Sequence, residues 1–319
     1  MPSVWNELTM NGVMTEQIIR CSKPSFLVIA VVLTIGLLSQ SMGAIFTRLS
    51  SDVPPVMIAT YRMVFSSAIL LVYWLARPKG KSFTLPSKKE QYLCMLSGLF
   101  LSGHFVTWIY SLQYTTVASS VVIVNMNAIF VGILAFLLFR EKQSISLISG
   151  IAAAFTGCLI LTVQDSNFKG FIIDKPGIFL GNCLALCGAF ASSFYLLIGS
   201  RVRSSIDLLT YITIVYTTAA GILVFVSLVM EVHFTGYQPV SYLYLFLMAV
   251  FPQLIGHSSV NWALKVMKSS VVAVTKMGEP ICSAILAYLI FSETVNLPQV
   301  GGIFLIFSAI VFVLKKGTN

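Results

Sequence analysis

Charge is what this sequence has least of. Only 10% of its 319 residues are Asp, Glu, Lys or Arg, against about 25% in a soluble domain. With 57% hydrophobic residues and a mean hydropathy of +0.90, a soluble globular chain is excluded. The six cysteines show no CxxC spacing, which removes the redox and zinc-ribbon patterns. Cys183 and Cys187 share a helix face and are expected to be small buried residues. His104 and His257 have no carboxylate or cysteine at ligand spacing, so no metal site is expected. Also missing are a glycine-rich phosphate loop, an HExxH pair, a nucleophile elbow and paired carboxylates in a polar loop. The sequence therefore predicts no cofactor and no enzyme. A membrane-embedded enzyme or a scaffold stays as a remote alternative, for which Glu279 with His257 or His104 would be the one conceivable catalytic set.

What the chain has is apolar runs. Ten of them, at about 25–47, 54–76, 91–112, 116–139, 144–163, 176–200, 208–230, 240–264, 270–291 and 297–314, approach the ~20 residues that cross a bilayer. The first is long, contains Gln40 and lacks a small-residue cleavage site, so it is expected to span rather than to act as a signal peptide. Residues 1–24 are expected to be a cytosolic tail and 164–175 an external linker. The net charge of +9 is distributed as a topology signal, not as a nucleic-acid surface. With the N-terminus inside, the cytoplasmic side holds Arg20, Lys23, Arg77, Lys79, Lys81, Lys88, Lys89, Arg140, Lys142, Arg201, Arg203, Lys265, Lys268, Lys315 and Lys316. The outer side holds only Arg48, Lys169 and Lys175. That bias puts both termini in the cytoplasm.

The chain also repeats itself. VASSVVIVNMNAIFVGILAFLLFRE (117–141) resembles SSVVAVTKMGEPICSAILAYLIFSE (269–293), and Glu141 and Glu293 stand 152 positions apart. Gly103–His104 and Gly256–His257 fall in the same relative place within a residue or two. Each half then holds five spans, an odd number, so the halves enter the membrane from opposite faces. The predicted fold is an all-α membrane protein of ten transmembrane helices, built as two inverted five-helix repeats over 25–163 and 176–315.

The few polar residues inside spans are the candidate site. Lys276 and Glu279 lie three apart in the ninth span, directly before Pro280. A charge at the centre of a membrane helix costs about 2.5–3.5 kcal/mol, so it faces protein or water. A cavity wall and a buried ion pair that fixes helix register both satisfy that requirement. Gln253, His257 and Asn261 recur at i, i+4 and i+8, a polar stripe that suits a cavity wall or interhelical hydrogen bonding. Phe100, His104, Trp108 and Ser111 form a second stripe, able to stack on a flat or cationic ligand or simply to pack. Arg62 stays charged and needs a carboxylate, carbonyls or an anionic substrate group. Aligning Asp52 with Asp207 sets Thr217 opposite it, so the other half offers no matching base. Ser39, Gln40 and Ser41, with Gly36 and Gly43, permit close helix approach or cavity lining.

These residues carry a family likeness. The segment NWALKVMKSSVVAVTKMGEPICSAILAYLIFSE (261–293) resembles the second-repeat signature of the EamA-type ten-helix carriers in the drug/metabolite transporter superfamily. YSLQYTT (110–116) and Arg140–Glu141 resemble the first repeat, and Arg62 sits where such carriers often have an arginine. Asn125-Met126-Asn127 departs from the pattern, since first repeats often have a proline there. The resemblance covers roughly 25–315 and implies a secondary transporter of the bacterial inner membrane working by alternating access. It implies a small-molecule substrate, an amino acid or related compound, with export as the leading direction. Uptake or exchange of a nucleoside-bearing metabolite such as S-adenosylmethionine is the alternative. The partners implied are the substrate and the lipid bilayer, without nucleic acid, and a homodimer is compatible with the likeness.

The topology has a direct test. Cysteines introduced at position 83 and after position 316 should react with impermeant thiol reagents only from the cytoplasm, and one at position 169 only from outside. Reaction of position 169 from the cytoplasm would remove the orientation.

Overall fold

The structure is a computed structural model that describes residues 24–76, 86–115, 117–163, 176–291 and 297–317. Residues 1–23 of the expected tail (1–24), the linker 164–175 and Glu293 lie outside the described residues. All regular structure among the described residues is helical. The first repeat comprises α1 (Phe26–Leu49), α2 (Pro55–Ala76), α3 (Lys88–Tyr114), α4a (Val117–Asn125) with α4b (Asn127–Phe139), and α5 (Ile145–Val163). The second comprises α6 (Pro176–Val202), α7 (Leu208–Val229), α8 (Pro239–Ala263), α9a (Ser269–Lys276) with α9b (Glu279–Phe291), and α10 (Leu297–Gly317). Among the described residues, nine spans are long and apolar enough to cross a membrane, and Ile145–Ile160 is a shorter apolar helix. Large apolar side chains such as Leu27, Val72, Ile145, Leu297 and Phe304 point outward from the bundle. In a bilayer that rim faces lipid.

The displacement of 152 between the glutamates extends to the whole fold. It carries Val117–Phe139 onto the limits of α9a and α9b, Ile145 onto Leu297, and α1 to α3 onto α6 to α8 within three residues at each end. By this register Ile214, not Thr217, stands opposite Arg62. The correction follows because helix limits fix the alignment, whereas a match of two aspartates does not. Ile214 is apolar, so the arginine still has no counterpart.

Lipid gives no hydrophobic reason for helices to associate, so close approach through small residues supplies the packing. A Cβ on Gly36 of α1 would lie 2.7 Å from the Cβ of Ser259 in α8. Its counterpart, Gly188 of α6, would place one 3.0 Å from Thr107 Oγ1 of α3. Each repeat therefore lends its first helix to the third helix of the other. The α5–α10 crossing is tight in the same way, since a Cβ on Gly157 would stand 2.8 Å from the Gly302 carbonyl oxygen.

Three helices depart from the expected continuous α spans. The ninth breaks at Met277–Gly278, ahead of Pro280, and the amide of Gly278 bonds back to the Thr275 carbonyl at 3.0 Å. Pro280 sits in the first turn of α9b, where its missing amide costs nothing. The fourth helix breaks at the matching place without any proline, and the amide of Met126 bonds to the Ile123 carbonyl at 3.0 Å. The eighth widens to a π-helix over Ala249–His257, around Pro252. The cysteine expectation also needs correction, because Cys187 is exposed and Cys183 only half-buried. On the outer rim of a membrane bundle an apolar thiol is as well placed as in a core.

At one end of the bundle Asp52 ties the α1–α2 loop to α8. Its carboxylate accepts from Ser241 Oγ at 2.6 Å and from the Gln238 amide at 2.9 Å. Those two bonds hold its pKa below the usual carboxylate value. The tie is therefore present near neutrality and is lost as pH falls through that lowered value.

Gly157→Ala should lower stability by ~1–3 kcal/mol through overpacking. Gly221→Ala, where an added Cβ meets nothing within 4 Å, should leave stability unchanged. Thermal unfolding in detergent compares the two, and equal behaviour would show that the α5–α10 contact is loose.

Candidate functional site

The two helix breaks and the π-segment meet at one place. A narrow cavity of about 40 Å³ is lined by Gln40, Arg62, His104, Phe105, Trp108, Val124, Asn125, Asn127, His257, Lys276 and Glu279. At roughly 10–15 Å³ per water it has room for about three waters. Six of the eight candidate residues border it: Arg62, His104, Trp108, His257, Lys276 and Glu279.

Of the two expectations for Lys276 and Glu279, a cavity wall and a buried ion pair, the geometry fits the first. Among the described residues no ion-pair contact joins them, and the helix break separates them. Lys276 closes the last turn of α9a and Glu279 opens the first turn of α9b. A cation at a helix C-terminus and an anion at an N-terminus are each stabilised by the local dipole, by about 0.3–1 kcal/mol and up to ~2 when partly buried. The break thus supports each charge separately and leaves both facing the cavity.

Arg62, from α2, is almost fully buried. Its Nε donates to Gln253 Oε1 at 2.8 Å, and its guanidinium lies over the Phe105 ring, 4.3 Å from the centroid. Nη2 has no protein partner, nor has Gln253 Nε2. Because Gln253 Oε1 takes the arginine, the unpartnered end of that amide is its donor. Gln253 therefore stands behind Arg62, as the residue that orients it. Ser66 Oγ, one turn after Arg62, donates to the Ala249 carbonyl at 3.2 Å and so ties α2 to the π-segment.

His104 Nδ1 lies 2.9 Å from the Gly188 carbonyl. A carbonyl only accepts, so Nδ1 carries the proton and Nε2 is the ring's acceptor. The ring stacks on Trp108 with centroids 6.1 Å apart and planes 5° from parallel. The rest of that stripe packs: Phe100 stacks on Phe194 at 4.8 Å, and Ser111 bonds Ser120 at 2.6 Å. His257 meets the edge of Phe105 at 5.5 Å, and its Nδ1 has no protein partner.

Asn261 lies apart from the cavity. Tyr195 Oη donates to its Oδ1 at 2.9 Å, and Arg203 Nε donates to its carbonyl at 3.1 Å. Of the three only His257 borders the cavity: the π-turns change the 100° spacing between Gln253 and His257, while Asn261, in the α-helical turn that follows, is held by Tyr195 and Arg203.

Gln40, Phe105, Val124, Asn125 and Asn127 also line the cavity. The repeat could have found most of them. A displacement of 152 sets Val124 opposite Lys276, Asn127 opposite Glu279 and Phe105 opposite His257. Asn127 Oδ1 and Gln40 Oε1 have no protein partner either. Buried polar atoms left unpaired cost about 1–3 kcal/mol each. Their gathering around one cavity fits a site that completes its hydrogen bonds with water or a ligand.

Asn261→Ala should lower stability by ~1–3 kcal/mol, because the buried Tyr195 hydroxyl loses its partner. The apparent KM of transport in proteoliposomes should stay within about twofold, as expected for a residue outside the binding surface. A large rise in KM without loss of stability would place Asn261 in the site.

Comparison with known proteins gives a consistent result. A family model described as the EamA-like transporter family matches residues 25–163 and 179–315. The Uncharacterized transporter YetK of Bacillus subtilis (strain 168) is 24% identical over 166 residues, 51% of this chain and 48% of that protein. Solute carrier family 35 member G1 of Homo sapiens is 24% identical over 268 residues, 82% of this chain and 72% of that protein. The match thus spans about half the length of YetK. One crystal structure of a protein superposes with a TM-score of 0.75 over 92% of this chain and 99% of the other, at 15% identity. That likeness is one of fold.

Proposed function

Because this chain belongs to the EamA-like transporter family and is a multi-pass membrane transporter, we propose that it carries a small zwitterionic metabolite, an amino acid or a close relative, by alternating access. One observation carries the substrate class. Two cations, Arg62 and Lys276, and one carboxylate, Glu279, border a single buried cavity without ion-pairing to one another. A substrate carboxylate completes the donors of Arg62 and Lys276, and a substrate ammonium completes Glu279. Each end is then a charge-assisted hydrogen bond in a site with little water. The cavity has room for only about three waters, and in this reading the helices around it part to admit the substrate. Family names point to a transporter rather than an enzyme.

The direction we propose is export, on the family likeness alone. The lysine and arginine bias supports a cytoplasmic placement of both termini in a bacterial inner membrane. The stacked His104–Trp108 pair favours a second reading, a nucleoside-bearing metabolite such as S-adenosylmethionine, whose flat base would lie against those rings.

The test is uptake and counterflow of labelled amino acids in proteoliposomes, each paired with its desamino carboxylic acid. Lys276→Met should raise KM for both members of a pair. Glu279→Gln should raise KM about 10- to 100-fold for the amino acid alone, since its desamino analogue brings no ammonium to that carboxylate. Equal loss for both analogues in Glu279→Gln would overturn the zwitterion reading, and preferential transport of nucleoside compounds would favour the second.

A further inference from the structure

Two serines make the same contact from opposite repeats. Ser41 Oγ of α1 lies 3.0 Å from the carbonyl of Glu279, the first residue of α9b. Ser193 Oγ of α6 lies 3.2 Å from the carbonyl of Asn127, the first residue of α4b. Both serines are buried, and the two serines, like their two acceptors, stand 152 positions apart. Each serine also reaches a carbonyl of its own helix four residues back, Leu37 for Ser41 and Ala189 for Ser193, both at 2.8 Å. A serine hydroxyl has one proton and here meets two acceptors. If it turns from the neighbouring repeat to its own helix, it stays hydrogen-bonded. Breaking the bond between repeats therefore leaves no unpaired donor, which makes it a contact that can open at little cost.

We propose that Ser41 and Ser193 are positioning residues that act as paired latches, each holding one cavity-lining half-helix and each released on a different side of the transport cycle. The proposal rests on the alternating-access reading above. In an inverted repeat, what one half does as the protein opens to one face the other half does as it opens to the opposite face. Both latches are made here at similar lengths around a cavity of about 40 Å³. The structure thus corresponds to the midpoint at which the halves are alike. Opening to one face carries α9b away from α1 and releases Ser41. Opening to the other carries α4b away from α6 and releases Ser193. The residues so positioned differ in chemistry, because Glu279 is charged and Asn127 is not, so the two releases have different consequences for a bound substrate.

The experiment uses Val124→Cys as reporter in the full chain with its six native cysteines replaced by alanine. An impermeant maleimide is applied to sealed vesicles of either orientation. The reporter alone should label from both faces, as alternating access requires. Ser41→Ala should raise the labelling rate about 2- to 10-fold from one face, and Ser193→Ala by a similar factor from the opposite face, the range expected for loss of one buried hydrogen bond. Ser41→Thr and Ser193→Thr keep a hydroxyl and should behave as the parent. If an alanine variant does not reach the membrane, Ser41→Cys and Ser193→Cys are followed by hydrogen–deuterium exchange. Faster exchange confined to α9b in the first and to α4b in the second supports the latches. Increases on the same face, or none, would overturn the latches while leaving alternating access intact. Labelling of the reporter from a single face in every variant would overturn alternating access itself, and the latches with it.

Discussion

A backbone group inside a bilayer has no water to bond, so every interruption of a helix must be satisfied by protein or must line a cavity. The rest of this structure follows from how that requirement is met at Met126 and Met277–Gly278. There the α-helical ladder tightens to bonds over three residues, and the first carbonyl of each following half-helix receives a serine hydroxyl from the other repeat. The donors come from α1 and α6, which can reach so far because Gly36 and Gly188 let them cross the third helices closely. Break, donor and crossing are one arrangement, made twice. The π-segment of α8 adds a third interruption without a counterpart in α3, centred on Pro252, with Ser66 supplying a donor to the Ala249 carbonyl.

Symmetry of the backbone contrasts with asymmetry of charge. Positions related by the repeat are Val124 and Lys276, Asn127 and Glu279, Phe105 and His257, Ile214 and Arg62. In every pair the cavity charge or imidazole belongs to one member only. A scaffold of two like halves can present its cavity to either face, and a one-sided distribution of charge fixes how a substrate lies within it. Helix dipoles make that distribution tolerable. Lys276 at the end of α9a and Glu279 at the start of α9b are each stabilised by the helix end they occupy, so neither needs the other as a partner.

The cavity lining is kept at a cost to stability. Unpartnered atoms on Gln40, Arg62, Asn127 and His257, and on Gln253 behind Arg62, each carry a desolvation penalty that apolar residues would avoid. Unpartnered buried hydroxyls also occur away from the cavity, on Ser50, Thr210 and Thr213, but these are single neutral groups rather than cations or amides. Asn261, Tyr195 and Arg203 are joined by hydrogen bonds, and the single hydroxyl proton of each of Ser41 in α1 and Ser193 in α6 has two acceptors within reach. The incomplete amide, guanidinium and imidazole atoms thus cluster where a ligand is proposed to bind.

The sequence by itself determined the helices, their number and the repeat, because span length, apolarity and a constant displacement are properties of the chain in order. It also marked Arg62, Lys276 and Glu279, since an intramembrane charge stands out against a lipid-compatible background. It did not determine which polar residues share a cavity. Asn261 and Gln253 lie on a helix with His257, yet Tyr195 and Arg203 engage Asn261 and Arg62 engages Gln253, and those partners are distant in sequence. The break in the fourth helix was equally hidden. Asn125-Met126-Asn127 contains no proline; the repeat sets it opposite the residues before Glu279, but the break itself shows only in the tertiary structure, where Ser192 and Ser193 of the other repeat meet Asn127. Local propensity is read along the chain, whereas the partner of a broken helix is supplied across it, and that is what only the tertiary structure decided.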